Sequence, residues 1–165
     1  MSVSVNKGVL GLYKFIRDLL NKPEGTVMIL GRHNLRRDDF KALQIVVDSL
    51  SPSTLLGRSE KYDGDAEELT HSQKFQVPCT IDFYGDDAYT QAMQFSLLSQ
   101  SQAGYELQRD GFINIFDIST ITDVKSLTGS QYSQRHQIGV NVMYNENLTL
   151  NVLRIDTLQS TLIID

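Results

Sequence analysis

The chain has 165 residues, a net charge of −5 and a pI near 5.1. Its length suits one domain spanning 1–165 with a real core, and its acidic balance argues against a general nucleic-acid binder, which needs clustered Lys and Arg. No long uncharged apolar run is present, so no transmembrane helix is expected, and a single cysteine, Cys79, excludes an intrachain disulfide and any cysteine-based zinc cluster.

The opening stretch MSVSVNKGVLGLYKFIRDLL is not a signal peptide, because Arg17 and Asp18 interrupt its apolar part and no small-residue cleavage site follows. Expected use is therefore without Sec export. Over about 7–20, Val9, Leu12, Tyr13, Ile16, Leu19 and Leu20 follow helical spacing and predict an amphipathic helix. NKPEG ends it, and TVMIL then predicts a short buried strand. The one basic cluster, Arg32, His33, Arg36 and Arg37, is answered at once by Asp38 and Asp39 and suits a solvated loop. A contact with an acidic partner surface is its weaker reading. In FKALQIVVDSL (40–50), Leu43, Ile45 and Val47 alternate and favour a strand, although helical spacing fits nearly as well.

Residues 51–68 contain Pro52, Gly57 and the turn signal DGD, and predict a polar loop available to a partner. From Leu69 to Phe83, Phe75, Val77, Cys79 and Ile81 alternate with polar residues, the mark of a long strand with one wet face. Pro78 on the polar parity suggests an edge position or a bulge. Cys79 on the apolar parity suits a packing thiol rather than a nucleophile.

After Gly85 the period becomes helical, and Tyr89, Ala92, Met93 and Leu97, with Ala88 and Leu98 widening the stripe, predict a helix over about 87–100, ended by SQSQAG. GFINIFDIS (111–119) predicts a strand and 119–137 a polar loop. Ile138, Val140, Val142 and Tyr144 predict another strand, and the C-terminal ENLTLNVLRIDTLQSTLIID one or two more. The order implies an α+β domain, a mainly antiparallel β-sheet with two helices packed on one face.

Two chemistries compete for IDFYGDDA. Asp82, Asp86 and Asp87 could hold a divalent metal in a nuclease-like enzyme. Equally, Asp82 points outward from a strand, Gly85 turns the corner, Asp86 caps the next helix and Asp87 complements its dipole, each a structural task. The second account is favoured. His33, His71 and His136 stand in no metal-ligand spacing. His71 suits a half-buried core position and His136 the surface. G-x-S-x-G, S-x-x-K and glycine-rich phosphate loops are all absent. No catalytic residue, cofactor or metal is therefore expected, and a binding or structural role is the default.

The stretch VPCTIDFYGDDAYTQAMQFSLLSQSQAGYELQRDGFINIFDISTITDV, with RHQIGVNVMYNE after it, resembles the tailed-phage neck and tail terminator (tail completion) proteins, the lambda tail-terminator-like family. The resemblance covers roughly 70–147 and is sharpest at Asp82, Phe83, Tyr84, Gly85, Asp87 and Ala88. It implies a virion structural protein, assembled in the host cytoplasm, that forms a homohexameric ring. Such a ring would cap the tail tube protein, dock the head-to-tail connector and collar proteins, and touch the sheath if the tail is contractile. Genomic DNA would pass through its lumen without specific binding, and no membrane is involved. The 82–88 run, Asp86 included, would be a structural strand–helix corner.

Overall fold

A computed structural model describes residues 6–30, 43–124, 126–128 and 131–152. The chain is α+β, and its described residues form three helices and a mostly antiparallel seven-stranded sheet. In order these are α1 (Lys7–Leu19), β1 (Val27–Ile29), β2 (Gln44–Ser49), β3 (Thr54–Asp63), β4 (Glu68–Tyr84), α2 (Ala88–Leu98), α3 (Gln102–Asp110), β5 (Ile113–Phe116), β6 (Thr122–Asp123), β7 (Ser126–Thr128), β8 (Gln131–Ser133) and β9 (Arg135–Asn151). The basic cluster at 32–37, and everything after Val152, lie outside the described residues.

The two 17-residue strands β4 and β9 pair along their whole length, from Glu68 with Asn151 to Tyr84 with Arg135. Outside β4, β2 covers residues 79–84 and β3 covers 68–76. Outside β9, β5 covers 141–144 and β6 covers 136–137. β1 joins β2 in parallel. The ambiguous 44–49 stretch is thus a strand, because its apolar residues are buried against β1 and β4 rather than along one helical stripe.

The core lies between one sheet face and all three helices. Val9, Leu12, Phe15 and Ile16 of α1 pack with Val77, Cys79, Ile81, Phe83, Ile138, Val140 and Val142. Two glycines let α1 lie close on the sheet. A Cβ on Gly8 would stand 2.8 Å from Val77 Cγ1 and Tyr144 Cδ1, and one on Gly11 2.6 Å from Ile113 Cγ2. Pro78 turns out to occupy a local gap in an otherwise central strand. Its carbonyl accepts from Leu50 N at 2.9 Å, so its missing N–H faces the break where β2 gives way to β3.

Several expectations need correction. The supposed loop at 51–68 is mostly β3 and its hairpin turn into β4. Every β3 residue is exposed, so no apolar alternation marks it, and the open backbone edge of β4 holds it as a strand. The 119–137 loop contains β6, β7 and β8. The expected separate C-terminal strand, as far as Asn151, is a continuation of β9. SQSQAG does end α2, but it also starts a third helix, with Ser101 Oγ accepting from Gly104 N at 3.2 Å.

α3 is polar and is held by Gln108 rather than by an apolar stripe. The buried Gln108 donates from Nε2 to Ser99 O (3.1 Å) and accepts at Oε1 from Ile115 N (2.8 Å), tying the end of α2 to the outer edge of β5. Replacing it orphans a buried carbonyl and a buried N–H, each worth roughly 1–3 kcal/mol. Gln108→Leu is expected to lower unfolding free energy by about 2–4 kcal/mol, read from urea denaturation. Glu106→Leu, on the exposed side of the same helix, serves as the control and is expected to change little.

Candidate functional site

The corner at 82–88 uses its residues very differently. Phe83 is fully buried against Phe95, which in turn meets Phe15 edge-on at 6.3 Å. Asp82, on the opposite sheet face, is only 6% exposed. The wet face foreseen for β4 is therefore closed at this end. Asp82 receives a bidentate contact from Arg135, Nε to Oδ1 at 3.1 Å and Nη2 to Oδ2 at 3.0 Å, and a third bond from Gln137 Nε2 at 3.0 Å. The strand register sets this geometry, since Asp82 faces Gln137 and Tyr84 faces Arg135 across the ladder.

The hydrogen bond it donates to Asp82 holds the Arg135 guanidinium above its ordinary pKa, against the desolvation that opposes it. Arg135 also lies over the Tyr84 ring, 5.5 Å from its centroid. Burial, followed by the Asp82 charge, pushes the Tyr84 phenol up, and Arg135 partly offsets this.

Gly85 is buried with φ of 106°, a conformation side chains rarely adopt, and Ala88 N closes the turn on its carbonyl at 3.1 Å. Asp86 and Asp87 are both exposed on this turn. The helix cap is Asp87 rather than Asp86, and its side chain makes no capping bond. With φ of −93° and ψ of 8°, its backbone is not in the extended conformation usual for a side-chain cap. The three carboxylates therefore do not form a cluster. Among the described residues, no three His, Cys, Asp or Glu side chains converge on a point where a metal could sit.

The other singled-out residues are equally dispersed. Cys79 is buried in the core, as its parity foretold, and desolvation followed by the Asp48 charge pushes its thiol up to about 12. His71 is not in the core; it is half-buried on β4, with Nδ1 3.0 Å from Glu60 Oε1. His136 is not freely exposed either, since its ring meets Tyr89 edge-on at 5.4 Å.

Two features invisible to the sequence reading carry the exposed chemistry. The first is a three-stranded blade made by β3, residues 68–76 of β4 and residues 143–151 of β9. On one side it shows Leu55, Tyr62, Leu69, Leu148 and Leu150 set among Arg58, Glu60, His71, Gln73 and Glu146; the other is polar throughout, with Ser59, Lys61, Thr70, Ser72, Asn147 and Thr149. Its base is fastened by Ser53 Oγ, 2.9 Å from Tyr144 Oη and bonded to the Asn6 side chain that caps α1. Phe75 stacks on Tyr144 there, and Lys7 Nζ donates to Asn145 O at 3.0 Å.

The second feature is the outer side of α2. Its buried residues are Ala88, Ala92 and Phe95, whereas Tyr89, Met93 and Leu97 face solvent. Of the expected stripe, Ala88 and Ala92 are inside while Tyr89, Met93, Leu97 and Leu98 are exposed, and the buried Phe95 was not part of it. The helix carries apolar residues on both sides, so helical spacing could not choose between them. Phe112, between α3 and β5, is 83% exposed at φ of 52°, an unusual backbone for a bulky residue.

Two measurements test this account of the corner and core. Asp82→Ala leaves the partly buried Arg135 without its counter-ion and is expected to destabilise by about 2 kcal/mol, below the full buried-pair figure because Arg135 can turn to water. Adding Arg135→Met should recover most of that loss in the same melts. For Cys79 the folded pKa lies above the unfolded value of 9.0. Its contribution is intact below pH 9 and is lost as pH rises toward 12, by up to ~1.4 kcal/mol per unit. Stability measured against pH should fall less steeply over that window in Cys79→Val than in the parent.

Comparison with known proteins adds one positive finding. The family model described as phage neck terminator protein matches residues 11–165, reaching well beyond the 70–147 stretch that carries the sequence resemblance. No curated protein matches the chain.

Proposed function

The chain belongs to the phage neck terminator protein family, and from that premise we propose that it acts as a ring at the junction of tail and head. In this reading one domain over 1–165 assembles into a homohexamer. The ring ends the growing tail tube and offers its far face to the connector and collar proteins, and to a sheath where the tail has one. It becomes part of the virion after assembly in the host cytoplasm, and genomic DNA threads its lumen.

The family match is the observation that carries this. The geometry is consistent with it. Structural residues occupy the acidic corner, with Asp82 engaged by Arg135 and Gln137, so the 82–88 run acts as scaffold. A net charge of −5 suits a passage that must let DNA slide without gripping it. Among the described residues no helix is long and apolar enough to cross a membrane.

Electron microscopy of tails made with and without the chain tests the proposal. With it, tubes of uniform length should end in an annulus of density that binds purified head connectors. Without it, tubes should overgrow and fail to join heads. Tails of normal length that join heads in its absence would refute the assignment.

A further inference from the structure

The sheet is covered by helices over only part of its length. From Val77 to Phe83 the inward side chains of β4 meet α1 and α2, but among the described residues the same face of the blade carries no helix. It is nevertheless apolar at Leu55, Tyr62, Leu148 and Leu150, with Leu148 59% exposed. A solvated blade gains order from three strands but needs cover on an apolar face to be stable.

α2 has the converse property. Eleven residues long and without a single charge, it shows Tyr89, Met93 and Leu97 to solvent at i, i+4 and i+8, with Leu97 68% exposed. These two surfaces cannot cover each other within one chain. Leu69 and Tyr84, which mark their ends of β4, stand roughly 50 Å apart at 3.3 Å per residue. Two mutually complementary patches at opposite ends of one molecule make a head-to-tail contact, which builds a ring when the rotation between copies closes and a filament when it does not.

Charge complementarity selects a second copy as the occupant. On the apolar side of the blade, Glu60 sits against His71 and Glu146 against Lys7, which leaves Arg58 without an ion pair among the described residues. Beside the α2 stripe, Asp86 and Asp87 are exposed and likewise without an ion pair among the described residues. Laying one patch on the other brings the unpaired cation to the unpaired carboxylates.

We infer that the apolar face of the β3–β4–β9 blade of one copy packs on the Tyr89–Met93–Leu97 stripe of α2 in the next copy, with Arg58 directed to Asp86 and Asp87. The neighbour's α2 supplies the blade with a helix layer that it does not have among the described residues. This rests on the ring reading above and adds the surfaces that build the ring.

Complementation between two defective copies tests it, read by native mass spectrometry of the full chain. Leu148→Glu spoils the blade and leaves α2 intact; Leu97→Glu does the reverse. Each carboxylate would be buried in an apolar contact, and each variant alone should self-associate roughly 30-fold more weakly or worse. Mixed in equal amounts, they keep one sound pair of surfaces between them and should form a heterodimer that grows no further. That heterodimer also shows that both variants are folded. Wild-type assemblies that persist through both substitutions overturn this contact while leaving the ring reading standing, and they are the result expected if the blade is covered by its own chain or by another protein. A mixture that stays monomeric when each variant does also overturns it. A wild-type chain that stays monomeric both in solution and on tail tubes overturns the ring reading and this contact together.

Discussion

The pairing of β4 with β9 is the constraint on which the rest depends. Its register decides which side chains share a face, and because the strand period is two, a slip of one residue would invert all of them. In the observed register Val77, Cys79 and Ile81 meet Val142, Val140 and Ile138 under the helices. The same register delivers Gln137 and Arg135 to Asp82 on the far side. One ladder therefore builds both the apolar core and the polar clamp that closes the opposite face.

The ladder also outlasts the helix layer. α1 begins at the level where Tyr144 and Val77 meet Gly8, and beyond that level β4 and β9 continue with, among the described residues, β3 alone beside them. The Asn6–Ser53–Tyr144 bonds tie the base of this blade to the start of α1. A protein that must join other proteins gains from such a division. The helix-covered part provides stability, and the uncovered part presents long strands whose composition is free to suit a partner.

Where the sequence reading succeeded, burial leaves a periodic trace. The helix at 7–19, the strand at 68–84 and the inward residues of β9 each have one buried and one wetter side, and their spacing shows it. It failed where that asymmetry is missing. β3 is wet on both sides, α2 is apolar on both, and α3 is anchored by the amide of Gln108 instead of a stripe. The acidic run misled for a related reason. Nearness in sequence placed Asp82, Asp86 and Asp87 together, while the strand–turn–helix path sends Asp82 to Arg135 and leaves the other two in solvent.

By itself, the sequence determined the class of the fold, the central long strands, the corner at Gly85, the inert Cys79 and, through the resemblance, the family. All of these are local, being properties of period, backbone freedom or a short pattern. Tertiary structure alone decided which side of α2 is inside, that 54–63 is a strand, that Asp82 pairs with Arg135 and that β4 and β9 run on past α1 as a blade. Each of those depends on what lies across the sheet, tens of residues away along the chain, and a pattern within one segment cannot encode the surface that its neighbours leave uncovered.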